Sequence, residues 1–380
     1  MRRVRFMHPL LSSSPHGTLS RRNFLKIAAL GLGGLAFRNL PGLYRLPEFP
    51  QSERLGRVFT KIDVKSKPDF DSSVVKSLYE DTIVPWLHER AGTYPYRFRQ
   101  RWVETPDGYI WSSDLQPVRN LPNLPVKQLP ETSLGPGMWV EVTVPYVDVS
   151  LDNPPARSFW LRYRQEIQMP ARLYYSQILW VDQIKTDEQG QTWYRLNERF
   201  GYGDIFWGAA EAFRQITANE MSPISPDVTE KRVVVNVYEQ FQTLSCFEGN
   251  TEVYFCPVAA GKKFDPDGKA LERSSTPLGK HYIWRKQVST HMSGGTTGGG
   301  YDLPGIGWTT LFVGTGVAIH STFWHNNFGG ELMSHGCVNC RPDDAKWVFR
   351  WTLPVVPDDP GDVTIEGMDK SSTVEVVEKA

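Results

Sequence analysis

The sequence predicts a mainly β protein built from several modules, and three observations predict it. Thirty-two glycines and 28 prolines interrupt the 380 residues too often for long helices to dominate. Between those breakers lie short aromatic and β-branched runs with the two-residue alternation of strands. With 40% hydrophobic and 22% charged residues, 13 Trp, 15 Tyr and 19 Phe, the chain can bury real cores, and bulk disorder is excluded. At about 150 residues per domain the length points to two or three domains.

Charge separates the N-terminus from the rest. Basic and acidic residues number 42 each, yet residues 1–40 hold seven cations (Arg2, Arg3, Arg5, Arg21, Arg22, Lys26, Arg38) and no Asp or Glu, leaving 35 basic against 42 acidic residues, a net −7, in the remainder. A mildly acidic body argues against phosphate-backbone binding, so no nucleic-acid partner is expected. Ser20-Arg21-Arg22-Asn23-Phe24-Leu25-Lys26 precedes an apolar stretch, residues 27–37, that is too short to span a bilayer comfortably. Every position of the S-R-R-x-F-L-K pattern is filled, and the segment resembles a bacterial twin-arginine signal. That resemblance implies the twin-arginine export machinery as a partner and an extracytoplasmic location in the cell envelope or wall. Gly34-Leu35-Ala36 offers a small-x-small cleavage site, while retention as a membrane anchor is the alternative. A basic amphipathic helix of the mature fold is disfavoured by Gly31, Gly33 and Gly34.

Residues 55–119 carry Ile62/Val64, Ile83/Val84/Trp86, Trp102/Val103 and Tyr109/Ile110/Trp111, separated by turns such as Pro68-Asp69 and Pro106-Asp107-Gly108. A small barrel of about five strands follows. Residues 64–75 (V-x-S-x-P-x-x-x-S-x-V-V) and 107–115 (D-G-Y-I-x-S-S-x-L) resemble the bacterial SH3-like domain, which implies attachment to the cell wall, with a rigid spacer as the plainer alternative. In residues 120–229, positions 138–149 alternate cleanly, and two strands flank a turn at 187–190. This second β region reads as core-forming, with a diverged second SH3-like unit as one reading.

Residues 231–353 are all β with long loops. They open with a strand at 233–237 and a hairpin at 242–255, followed by Thr276-Pro277-Leu278-Gly279, an aromatic strand at 282–284 and a glycine-rich loop at 293–300. Five of the eight histidines (His281, His291, His320, His325, His335) and all four cysteines lie beyond residue 245, so the chemistry is expected here. Residues 354–380 read as a C-terminal tail, and 265–268 (D-P-D-G) as a turn that lacks the closing glutamate of a calcium loop.

The run from Ile319 to Asn339 contains His320, a 13-residue spacer and then Ser334-His335-Gly336-Cys337-Val338-Asn339. Together with the T-P-x-G turn it resembles the signature of the L,D-transpeptidases, the YkuD-type catalytic domain. The resemblance implies Cys337 as nucleophile, His320 as general base and acid, the Ser321 backbone carbonyl orienting the His320 ring, and His335 with Gly336 around the oxyanion hole. It implies Ser334, Trp324 and Asn339 along the substrate groove and Tyr301 in its lid. It also implies peptidoglycan stem peptides as substrate, an acyl-enzyme thioester with release of D-alanine, and neither a metal nor an organic cofactor. Physical chemistry agrees: a thiol near its usual pKa of about 8.5 needs a base or a positive field to attack an acyl carbon. Glycine at 336 lets the Gly336 and Cys337 amides aim at one spot. A short helix is expected from Pro342, with Asp343 and Asp344 at its positive end and Ala345, Val348, Phe349 and Trp351 inward, and its field should lower the thiol pKa.

Other readings concern the same residues. Hydrolysis by the same groups would make an L,D-carboxypeptidase, and an idle wall-binding scaffold is the non-catalytic alternative. Cys337 and Cys340 form a C-x-x-C that elsewhere signals redox exchange or half a zinc site, completed here by His320 and His325. Without a βαβ pattern Cys340 reads as a packing residue, with a 337–340 disulfide as a rival. Cys246 and Cys256 flank one hairpin, where a cross-strand disulfide is an option. His291 and His325 read equally as solvated loop residues or as substrate contacts.

Overall fold

A computed structural model describes residues 44–95, 99–238, 241–263, 269–294, 301–365 and 367–378. The signal-like segment, the 265–268 turn and most of the glycine-rich loop (295–300) lie outside these residues. Strands make up 44% and helices 9%, so the mainly β expectation holds. Among the described residues no helix is long and apolar enough to cross a membrane.

The first β unit packs a three-stranded sheet, in which Leu55–Val58 lies between Ile83–Pro85 and Leu115–Val118, against a five-stranded sheet. Val58, Ile62, Val64, Val84, Trp86, Val103, Ile110 and Leu115 form its core, with Ile62 and Val64 buried around the exposed Asp63 as alternation requires. Arg101–Thr105 and Gly108–Trp111 meet at the predicted Pro106-Asp107 turn. Gly108 has φ 138°, and a Cβ there would sit 2.5 Å from the Lys65 carbonyl, so no other residue fits.

The second unit is a seven-stranded sheet running from Ala171–Tyr174 at one edge to Phe213–Gln215 at the other. Its hairpin Ile178–Thr186/Thr192–Asn197 turns at 187–190 as expected. Both units end alike: a hairpin, one 3-10 turn (Ser112–Asp114 or Ala210–Ala212), then a strand that pairs back on the unit's first strand. A helix that sequence alternation does not signal, Phe159–Glu166, is capped by Ser158, whose hydroxyl in turn donates to Asp204 at 2.6 Å.

The third unit stacks two five-stranded sheets around one core, which also takes in Trp139, Ile178, Trp180, Ile216 and Met221 of the second unit. The predicted helix is Pro342–Trp351, with Ala345, Val348, Phe349 and Trp351 buried. Two lysine side chains bind the carbonyls at its C-terminal end: Lys286 donates to Phe349 at 2.5 Å and, just past the helix, to Thr352 at 2.7 Å and Pro354 at 2.8 Å, and Lys231 donates to Trp351 at 2.8 Å. Residues 354–380 are not a tail. They supply Asp362–Thr364 at a sheet edge and Thr373–Glu378 inside the other sheet, parallel to Lys231–Val237 on one side and antiparallel to Gly279–Tyr282 on the other. The reason lies in T-V-E-V-V-E, whose Val374 and Val376 alternate into the core.

Candidate active site

Apolar Ala318-Ile319 and Val338 draw two strands side by side in the core. Ala318–Ser321 runs parallel to Val338–Cys340 in the register Ile319↔Val338, His320↔Asn339 and Ser321↔Cys340. The ends of these strands open into a cavity of about 430 Å³ lined by His320, Cys337, Tyr301, Trp324, Ser334, His335 and Asn339, and also by Lys262, Met292, Leu303, His325 and Met333. The seven predicted residues in that lining, up to 38 positions apart in sequence, thus share one chamber. Ser321 and Gly336 stand behind it.

His320 Nδ1 lies 2.8 Å from the Ser321 carbonyl. A carbonyl only accepts, so Nδ1 carries the proton and Nε2 is left as the acceptor. The ring is 2% exposed, and burial lowers its pKa to about 4, so it is neutral at physiological pH. Trp324 stacks on it with centroids 5.8 Å apart.

Cys337 is half-buried in the cavity wall. Desolvation pushes its thiol up to about 11, partly offset by a hydrogen bond with the Ala318 backbone. This reverses the expectation that the following helix lowers the thiol pKa: the helix begins only at Pro342, and a dipole's influence fades within its first turn. Cys340 sits three positions along the strand, hence on the opposite face, and is fully buried in the third unit's core with Cys246 and Cys256. Its thiol is pushed well up, chiefly by a hydrogen bond with Cys256 and by burial. The side chains of Cys337 and Cys340 therefore face different compartments, which removes both the 337–340 disulfide and their shared metal site. All four cysteines are free, and the hairpin register pairs Cys246 with Tyr254 and Leu244 with Cys256.

The S-H-G-C turn is closed on itself. Ser334 Oγ accepts from the Gly336 N–H at 3.1 Å and donates to the Cys337 carbonyl. The Gly336 amide is thereby engaged, contrary to the expectation that it aims with Cys337 N–H at a common point. Gly336 has φ 135°, and a Cβ would meet the Ser275 carbonyl at 3.1 Å. His335 stacks on Tyr301 with centroids 5.2 Å apart. The Tyr301 hydroxyl is pushed up to about 12 by burial and by the neighbouring Cys337.

His325 is a cavity residue and not a solvated loop residue: its ring is 6% exposed, Nδ1 accepts from Asn327 N–H at 3.2 Å, and Nε2 lies 2.8 Å from the Asn339 side-chain amide. Burial first, then Arg99, His320 and Lys262, lower its pKa to about 3. Lys262 was missed, although the Lys262 N–H donates to the Ser334 carbonyl at 2.8 Å and so joins the edge of the S-H-G-C turn. Only that strand contact could have revealed it. His291 lies outside the cavity, among second-unit residues.

The loop between His320 and Ser334 is held from outside its own unit. Arg57 donates to the Phe323 carbonyl at 2.7 Å, Asn326 donates to the Ser112 carbonyl at 3.0 Å, and Arg99 donates to the Phe328 carbonyl.

Residues 230–374 match the family model of YkuD, the L,D-transpeptidase catalytic domain. Two strains of Mycobacterium tuberculosis each have a relative, "L,D-transpeptidase 1", 31% identical over 100 residues, which are 24% of this chain and 36% of that protein. The chain thus spans about a third of the length of the curated relatives it matches. Among solved structures, the catalytic domain of the E. faecium L,D-transpeptidase is 24% identical, covering 38% of this chain and 96% of that one with a TM-score of 0.27. An L,D-transpeptidase from Mycobacterium smegmatis is 19% identical, covering 51% and 81% with a TM-score of 0.28. Residues 230–374 are thus similar to the YkuD-type L,D-transpeptidase catalytic domain.

Proposed function

We propose that the chain is an exported peptidoglycan L,D-transpeptidase with Cys337 as nucleophile and His320 as general base and acid. The observation that carries this reading is the Nδ1 contact of His320 with Ser321, which leaves Nε2 as a proton acceptor in the chamber that holds the Cys337 thiol. Thiol and imidazole rest neutral, so proton transfer belongs to the attack itself. Cys337 Sγ gives its proton to His320 Nε2 as the S–C bond forms at the carbonyl of the third stem residue, a diamino acid. Collapse of the tetrahedral intermediate breaks the peptide bond, and His320 hands the proton to the departing D-alanine amine. The side-chain amine of a neighbouring stem then attacks the thioester and loses its proton to His320, which returns it to the thiol. Tyr301, Trp324, His335 and Asn339 border the donor peptide, while Ser334 and Gly336 shape the turn that presents the thiol. Residues 1–40 address the chain through twin-arginine export to the envelope, and the first β unit, read as SH3-like, attaches it to the wall.

Incubating the protein with purified disaccharide-tetrapeptides and weighing the products tests this. Cross-linked dimers with D-alanine released support transfer. Loss of D-alanine alone makes the chain an L,D-carboxypeptidase, and an unchanged substrate beside an intact thiol leaves the scaffold reading.

A further inference from the structure

The hairpin Arg285–Gly294/Tyr301–Leu311 is one wall of the cavity, and its two faces do different things. Met292 and Leu303 are opposite each other, as are Gly294 and Tyr301, and Met292, Leu303 and Tyr301 line the chamber. Alternation turns His291, Ser293 and Asp302 to the back. There His291 Nδ1 lies 2.8 Å from Glu198 Oε1 of the second unit, and Nε2 contacts Asp302 Oδ1. The His291, Glu198 and Asp302 side chains are 1%, 3% and 8% exposed. Ionised carboxylates only accept, so two of them on one imidazole require a proton on each nitrogen. Asp302 Oδ2 also accepts from the Trp160 N–H at 2.6 Å, and the Tyr202 hydroxyl lies 2.6 Å from Ser293 Oγ while its ring meets His291 edge-on. Of the other charges nearby, Arg199 lines the same pocket as Glu198 and His291, and Asp204 is bound by the Arg157 and Ser158 amides. A Cβ at Gly201 would stand 3.0 Å from the His291 Cβ, so the two units are in close contact here.

We propose that His291 is a positioning residue for the reaction at Cys337, clipping the cavity wall that carries Met292, Tyr301 and Leu303 to the second β unit through Glu198 and Asp302. Its substrate side rests on the transpeptidase reading; its structural side does not. The second unit thereby takes part in shaping the donor site. Burial lowers the His291 pKa but the two carboxylates outweigh it and raise it to about 9, so the ring is protonated at neutral pH, while burial also raises the Glu198 carboxyl.

Three measurements on the full chain decide it. Side-chain NMR of the unmodified protein is expected to show His291 doubly protonated at pH 7; a neutral ring there overturns the proposal. His291→Gln and Glu198→Gln, the second keeping Asp302 as a partner and so the safer fold, are expected to raise KM for the tetrapeptide donor about tenfold while kcat falls less. They are also expected to change the rate of Cys337 alkylation by iodoacetamide, because Tyr301, which lines the cavity beside the thiol, shifts with the wall. Folded variants whose KM and alkylation both match the parent overturn it. If the parent transfers no stem peptide yet the variants shift alkylation, the clip stands and the transpeptidase reading falls.

Discussion

Arg57 and Phe323 are joined by a 2.7 Å hydrogen bond from guanidinium to carbonyl across 266 residues of chain. Arg57 is 3% exposed and each of its three nitrogens is engaged: besides Phe323, it donates to Gln116 at 2.7 Å and to Asp81 at 2.8 Å, and it lies over the Tyr174 ring. Phe323 immediately precedes Trp324, which stacks on His320. The first β unit therefore reaches the His320 imidazole in two steps, so residues outside the YkuD match hold the loop that borders the cavity.

Replacing Arg57 by Met is expected to unfasten that loop. Removing one member of a buried ion pair costs about 3–5 kcal/mol, and the effect should fall at the low end because Arg172 still holds Asp81 at 2.8 Å. Urea unfolding should show the loss, and Trp324 fluorescence should change in the folded variant. Parent-like stability and fluorescence would show that the contact holds nothing.

Cys337→Ala is expected to abolish acylation with little change in stability, since its side chain stands at the cavity. Cys340→Ala should do the reverse, keeping most of the activity while costing about 1–2 kcal/mol for the lost core volume. Equal losses of turnover in the two variants would contradict the separation of their compartments.

With the thiol near 11 and His320 near 4, neither group titrates between pH 5 and 9. Alkylation of Cys337 by iodoacetamide should therefore climb about tenfold per pH unit across that range, following the thiolate fraction. A plateau near neutrality would reveal a preformed thiolate–imidazolium pair and sink this account of the resting state.

Acid should weaken the fold through two buried imidazoles. Burial lowers His320 to about 4 and His325 to about 3, both below the ordinary 6.5, so the unfolded chain takes up protons first as pH falls. Stability is complete above about 6.5 and declines below it by about 1.4 kcal/mol per pH unit for each ring until its folded value is reached. His325→Gln should shallow the slope of unfolding free energy against pH between 6 and 4; an unchanged slope would count against a neutral His325.

Much of the site was legible because its residues lie close in sequence: the upstream histidine and S-H-G-C-V-N share one segment, and all of its predicted side chains except Ser321 and Gly336 reach the chamber. What escaped was set by long-range pairing. Nothing near Lys262 signals that its backbone pairs with Ser334, and nothing near His291 points to Glu198, 93 positions away. The hairpins are legible from alternation and from Pro-Asp-Gly, whereas Thr373–Glu378, equally alternating, reads as a tail because only its partner strands give it a place. The raised thiol pKa has a different cause: desolvation is a property of the assembled cavity wall and has no local sequence signature.

That late strand sets the order in which the molecule can assemble. Its neighbours in the sheet, Lys231–Val237 and Gly279–Tyr282, leave the ribosome long before Thr373–Glu378 does, and until then the seam between them stays open. The β units ahead of residue 230 can close during synthesis, each by a strand pairing back on its own first strand. The catalytic sheet cannot, and its contacts between distant segments make its folding slow. Throughout that interval Val233 and Val235 face no finished core, so apolar side chains and unpaired strand edges of the third unit stay exposed until the last strand arrives.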